Sequence, residues 1–191
     1  LDRYIWEQAA AKLGEWKKAG INMSISVNIS PKDFYYIDIF NTFAGLIKKY
    51  DIEPSNLKIE ITETTIMSDV PNLMGELEEL RKAGFTLEMD DFGSGYSSLN
   101  TLKDINVDVL KVDMGFIKET KNVKKSRIIL ASVIKMAKEL NLLIITEGVE
   151  TEEQVDNLTK LGCDVFQGYY FSKAIDVNEF EKRYLYRKKA G

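Results

Sequence analysis

Six short apolar stretches of this 191-residue chain end in polar residues that can ligate a cation or move a proton. They place Asn28 in SISVNIS, Glu60 in LKIEITE, Asp90 and Asp91 in LEMDDFGSGYSSL, Lys111 and Asp113 in VLKVD, Glu147 in IITEGVE, and Gln167 in VFQGYYF. Asn28, Glu60 and Asp90 are candidate metal ligands. An all-oxygen donor set selects hard cations, Mg²⁺ or Mn²⁺, over zinc. A single Asp at a strand end commonly caps a helix or forms a turn. The adjacent pair Asp90 and Asp91 asks for more, because two neighbouring carboxylates repel unless a cation or hydrogen bonds compensate. Lys111, between Leu110 and Val112, shares a face with Asp113. It either forms an interior ion pair with that residue or positions a water and stabilises charge in a transition state. Glu147 ends a strongly apolar run and could cap the next helix, but Thr151 is better placed for that. Gln167 is the least diagnostic member, since amides are common in cores. Together the set points to metal-assisted attack of water on a phosphoester.

The elements that must position these residues alternate between two periodicities. Residues 2–20 carry Ile5, Ala9, Leu13 and Trp16 on one helical face, with Gly20 as a stop. Strands are expected at about 23–29, 57–63, 85–91, 108–113, 142–147 and 164–171, several with apolar and polar residues strictly alternating. Helices are expected at about 33–50, 70–83, 97–103 and 123–140, the last with the stripe Ile129, Val133, Met136 and Leu140. A further helix opens on the capping box Thr151-Glu152-Glu153-Gln154 and ends at Gly162, and a last one is capped by Asp176. Alternating strands and helices argue for parallel strands. In an open doubly wound sheet the polar strand faces would be buried under helices at high cost. In a closed barrel they point inward, and polar groups at the C-terminal mouth meet solvent or metal, so the barrel is favoured. One domain over residues 1–191 is expected, without linker or low-complexity segment.

Composition narrows the chemistry. A net charge of −4 leaves no basic footprint for DNA. The chain has no histidine, which excludes Ser-His and Cys-His triads and His-type zinc sites. The single cysteine, Cys163, rules out an internal disulfide and reads as a packed, inert thiol. No apolar run is long enough for a membrane span, and no signal peptide is expected. The chain starts at Leu1 inside a helical pattern, which suggests part of a longer polypeptide. The loop Asp91-Phe92-Gly93-Ser94-Gly95-Tyr96 matches neither Gly-rich nucleotide fingerprint, and its glycines suit a mobile mouth loop.

In their order and spacing, SVNIS, EITET, DDFGSGYSSL, LKVD, EGVET and QGYYFS resemble the EAL domain family over essentially the whole chain. These are bacterial phosphodiesterases that linearise cyclic di-GMP to pGpG, with a TIM-barrel-like (β/α)8 fold containing one antiparallel strand. The resemblance implies that Asn28, Glu60 and Asp90 are metal ligands, with Asp91 in the region of a second metal. It implies that Lys111 engages the nucleophilic water, with Asp113 its strand neighbour, and that Glu147 is a late carboxylate at the metal and water site. By the same resemblance Gln167 supports that site, and Gln167, Tyr169, Ser94 and Gly95 contact substrate. Glu63 is implied to anchor the loop Asp91–Leu99, and Glu150 belongs to the supporting set. Two Mg²⁺ or Mn²⁺ ions, a homodimer, an upstream regulatory or GGDEF-type domain and a cytoplasmic location, free or as the cytosolic part of a membrane-anchored protein, are implied in the same way.

The chain departs from the family pattern in three places. The Glu-Ala-Leu motif does not occur in it, and of the eight strands of such a barrel about the first two are absent. That motif supplies a ligand, so the 191 residues alone are expected to hydrolyse little or no cyclic di-GMP. Ser94 stands where the family has Thr, and Ala174 where it has Pro. Two rival readings remain at this point. One is an inactive EAL domain acting as a cyclic di-GMP receptor or interaction module. The other is a proton-abstracting barrel with a lysine base and Mg²⁺.

Overall fold

The computed structural model describes residues 1–93, 102–113, 115, 123–163 and 165–186. Its centre is a sheet of six strands: β1 (Ile25–Asn28), β2 (Leu57–Thr62), β3 (Leu87–Asp90), β4 (Val109–Asp113), β5 (Leu143–Glu147) and β6 (Val165–Phe166). Every adjacent pair is parallel, and the spatial order is the chain order. A doubly wound sheet reverses its strand order at a switch point; this sheet has no reversal. The antiparallel strand implied by the resemblance is not among these six.

The sheet curls. Neighbouring strands lie about 4.8 Å apart, so strands two apart in a flat sheet are separated by about 10 Å. Here Lys111 on β4 reaches Glu60 on β2 at 2.8 Å, and Ser26 on β1 reaches Glu88 on β3 at 2.8 Å. Both contacts span the concave side. The alternation in β2 explains the curvature's chemistry. Leu57, Ile59 and Ile61 are fully buried against the helices, while Lys58, Glu60 and Thr62 face the interior half-buried.

The helices are α1 (Asp2–Lys18), α2 (Pro31–Tyr36), α3 (Ile39–Tyr50), α4 (Glu63–Ile66), α5 (Leu73–Lys82), α6 (Val123–Glu139), α7 (Glu152–Leu161) and α8 (Val177–Phe180). A π-type turn at Glu181–Leu185 follows. Trp6, Phe43 and Phe85 pack in sequence between α1, α3 and the sheet, the first pair tilted and the second edge to face, with ring centroids 5.1 Å and 5.8 Å apart. Gly14 lets α1 and α3 touch, since a Cβ there would sit 2.8 Å from the Tyr50 carbonyl oxygen. No helix among the described residues is long and apolar enough to cross a membrane.

The structure corrects several expectations about the elements. The single helix expected at 33–50 is two, because Ile37 is extended and the Asp38 carboxylate accepts the Asn41 N–H and starts α3 anew. In α1 the buried stripe runs through Trp6, Ala10, Leu13 and Trp16; Ile5 is exposed and Ala9 only half-buried. In α6 it runs through Ser126, Leu130, Ile134 and Ala137, leaving Ile129 and Leu140 exposed. Both helices carry apolar residues across two adjacent stripes; α1 turns Trp6 and Ala10 inward in place of Ile5 and Ala9, and α6 buries the stripe richer in small residues. β6 is shorter than expected because the chain turns at Gly168, where Tyr170 N–H donates to Val149 O. The helix expected at 97–103 lies mostly outside the described residues. The capping box at Thr151, the Gly162 stop and the Asp176 cap are all present.

Candidate active site

The polar residues do not form a row of hydrogen-bonded strand partners; they climb a diagonal. Asn28 on β1 is level with Glu60 on β2. The β3 partner of Glu60 is Glu88, and Asp90 lies two residues further along. Met89 pairs with Leu110, which brings Asp90 beside Lys111 on β4. Lys111 pairs with Ile145 on β5, and Glu147 is again two residues further. Tilted barrel strands generate such a stagger, and it carries side chains from four strands to one point near the C-terminal ends.

That point is the Lys111 ammonium. Its Nζ lies 2.8 Å from Glu60 Oε1, 2.8 Å from Glu147 Oε1 and 3.3 Å from Asp90 Oδ1. Lys111 is 4% exposed. Burial opposes its charge, but the close contacts with Glu147 and Glu60 outweigh burial and hold the ammonium well above its ordinary value. Burial raises the Glu60 carboxyl; Lys111 opposes this, and the charges of Asp90 and Glu88 add to it. Glu147 is raised by burial too, against Lys111 and with the charges of Asp90 and Glu60. Glu147 Oε1 accepts no well-aligned hydrogen bond despite its short approach to Lys111.

The remaining candidates take up varied positions. Asp91 adopts a left-handed backbone, φ 56°, a conformation that Asp tolerates. Its N–H donates to Asp90 Oδ1 at 2.9 Å and its side chain is exposed, outside the ring around Lys111. Burial, then the charges of Asp90 and Asp113, raise its carboxyl. Asp113 does not pair with Lys111; it accepts the Gly115 N–H at 2.6 Å. Asn28 is exposed at the end of β1, and its carbonyl accepts the Trp6 indole N–H at 3.0 Å. Glu63 is buried in the first turn of α4, directly after β2. Glu150 donates its N–H to Gln154 Oε1 in the cap of α7. Gln167 and Tyr169 are exposed beyond β6, with Lys173 Nζ 5.7 Å above the Tyr169 ring. Ser94 and Gly95 lie outside the described residues, as does most of the loop Asp91–Leu99.

Sequence reasoning missed one group. Glu88 is 1% exposed and accepts hydrogen bonds from Ser26 Oγ at 2.8 Å and Lys58 Nζ at 3.0 Å. The signal was present: Glu88 stands two residues before Asp90 in LEMD, on the same strand face.

The donor set fits a hard divalent cation. Three carboxylates from three strands converge on one point, supply oxygen only, and carry more negative charge than Lys111 balances. Among the described residues no three acidic or cysteine side chains are placed to hold a metal ion as they stand; the shared point is taken by the ammonium.

The comparisons with known proteins agree with this geometry. The family model described as EAL domain matches residues 1–174. The chain is 33% identical over 180 residues to the bifunctional diguanylate cyclase/cyclic di-GMP phosphodiesterase MucR of Pseudomonas aeruginosa, covering 94% of this chain and 26% of that protein. It spans about a quarter of the length of the curated relatives it matches first. Among solved structures, the PaMucR phosphodiesterase in its c-di-GMP complex superposes with a TM-score of 0.84 at 33% identity, over 93% of this chain and 72% of that one. The manganese/cy-diGMP complex of Klebsiella pneumoniae BlrP1 superposes with a TM-score of 0.78 at 29% identity, over 90% of this chain and 44% of that one. With a six-stranded parallel half-barrel, an acidic cluster at its C-terminal ends and a family match over nearly its whole length, the chain belongs to the EAL domain family.

Proposed function

We propose that this chain forms the larger part of a domain that hydrolyses cyclic di-GMP to linear pGpG in bacterial second-messenger signalling. One observation carries the reading: Glu60, Asp90 and Glu147 meet within 3.3 Å of the Lys111 ammonium. Nearly neutral surroundings would suffice for a structural core; a surplus of buried carboxylate suits a centre that works on an anion with a cation's help. Asn28, Glu60, Asp90 and Glu147, with Asp91 at the rim, would hold Mg²⁺ or Mn²⁺, two ions in the full domain. Bound there, such ions neutralise phosphodiester charge and lower the pKa of water.

The chain's own residues supply the rest. Lys111 keeps its proton and stands fixed among three carboxylates, so it presents a permanent positive charge where negative charge develops on the phosphate oxygens. Glu147 stands in the same cluster, 2.8 Å from the Lys111 ammonium, where its carboxylate can accept the proton of an attacking water. Gln167 and Tyr169, exposed beyond β6, would contact the nucleotide. The names of the relatives and of the superposing complexes support cyclic di-GMP as the substrate class.

The test is product analysis. The protein carrying this domain, incubated with cyclic di-GMP and Mn²⁺, is expected to yield pGpG, and none when EDTA replaces the metal. Cyclic di-GMP that is bound but recovered intact would overturn the hydrolase reading in favour of a receptor.

A further inference from the structure

Beneath the acidic cluster lies a second polar group to which the mechanism assigns no part. Glu88 on β3 accepts from Ser26 Oγ on β1 and from Lys58 Nζ on β2, at 2.8 Å and 3.0 Å. One carboxylate thereby ties three strands together across the concave face. Each of the three residues stands two positions before a candidate ligand: Ser26 before Asn28, Lys58 before Glu60, Glu88 before Asp90. Residues two apart on a strand point to the same side, so the tie lies one layer below the ligands on the same three strands.

A buried ion pair is weak evidence of stability by itself, because desolvation offsets much of the attraction. Two features argue for more than an incidental pair. Glu88 is almost wholly buried, yet its two oxygens go to different strands, one to each neighbour of the ligand set. The strand ends above it are short and end at their ligands, so their mutual spacing depends on what fixes them from below. A metal site tolerates displacement of its ligands by only a few tenths of an ångström.

We infer that Ser26, Lys58 and Glu88 are positioning residues for a divalent-cation site formed by Asn28, Glu60 and Asp90. The inference rests on the metal-site reading above. The group touches neither substrate nor cation. It sets the relative height and separation of the three strands, and through them the spacing of the ligand oxygens. Residues that orient ligands in this way typically change metal affinity by on the order of 10- to 100-fold when removed.

The experiment is a direct Mn²⁺ titration, followed by calorimetry or electron paramagnetic resonance, on the protein carrying this domain and on folded variants. Glu88→Ala and Lys58→Met are each expected to weaken Mn²⁺ binding about 10-fold or more. Glu88→Gln keeps its one side-chain oxygen to accept from Lys58 Nζ and turns its amide N–H toward Ser26 Oγ, which can accept, and is expected to stay within about 3-fold of the unmodified protein. Glu88→Ala with unchanged Mn²⁺ affinity would overturn the inference. So would a Glu88→Gln affinity as weak as that of Glu88→Ala, since charge rather than position would then be the cause. Hydrolysis, measured separately, keeps the two readings apart. Mn²⁺ binding without pGpG formation would remove the phosphodiesterase reading, while the titration would still decide the positioning role.

Discussion

Glu60 and Glu147 are carboxyls whose proton affinity is raised first by burial, against the pull of Lys111, and further by the charge of Asp90, with that of Glu88 added on Glu60 and that of Glu60 added on Glu147. Their effect on stability has a definite sign. A carboxyl with a raised folded-state pKa stabilises the fold fully below its ordinary value, and that contribution is lost as pH rises through the raised value. The metal-free protein therefore loses stability on the alkaline side of the ordinary carboxylate range. A cation competes with those same protons, so its apparent affinity increases with pH. Thermal unfolding with and without Mn²⁺ is expected to show a larger stabilisation at about pH 8 than at about pH 5. A shift independent of pH would place the ion elsewhere. At this scale the residues that meet, Glu60, Asp90, Lys111 and Glu147, could be picked out in the sequence because the same placement at the end of an apolar run recurs strand after strand. Two things could not. Glu88 hides inside a strand rather than at its end, and Asp113, paired by sequence logic with Lys111, turns to a backbone N–H once the real partners arrive from β2, β3 and β5.

The elements show how little backbone is spent around the site. β6 contributes only Val165 and Phe166 before the chain turns, and the turn is held by Val149 N–H to Gln167 O and Tyr170 N–H to Val149 O. Gly168 permits this. A Cβ there would lie 2.0 Å from Val149 O and 2.4 Å from Val149 N, and backbone atoms cannot yield as a flexible side chain would. Gly168→Ala is expected to cost at least about 1–3 kcal/mol, as overpacking does, and to lower the melting temperature by several degrees. Circular dichroism melts would show it, and an unchanged melting temperature would mean that the turn rearranges freely. The periodic signals that revealed strands and caps were local and therefore readable. The buried stripes of α1 and α6 were misread by one residue because both helices are apolar over two stripes, and which one faces inward depends on close contacts such as that of Gly14 with Tyr50. The break before α3 was missed because Asp38 looks like any polar helix residue until its carboxylate is seen accepting the Asn41 N–H.

At the scale of the whole molecule, six parallel strands in chain order curl so that side chains from strands two apart can meet. The fold class followed from the sequence because polar strand faces cannot be covered by helices. The degree of curling did not, since it emerges from register and stagger. On the proposed function, the convergence around Lys111 is a catalytic centre and not merely a binding or packing device. Turnover by Lys111→Ala at saturating cyclic di-GMP and Mn²⁺, with nucleotide affinity measured in parallel, tests it most directly. A contact made chiefly in the transition state lowers kcat more than it weakens binding. The account predicts that kcat falls by on the order of 100-fold or more while cyclic di-GMP affinity is largely kept; a kcat equal to that of the unmodified protein would contradict it.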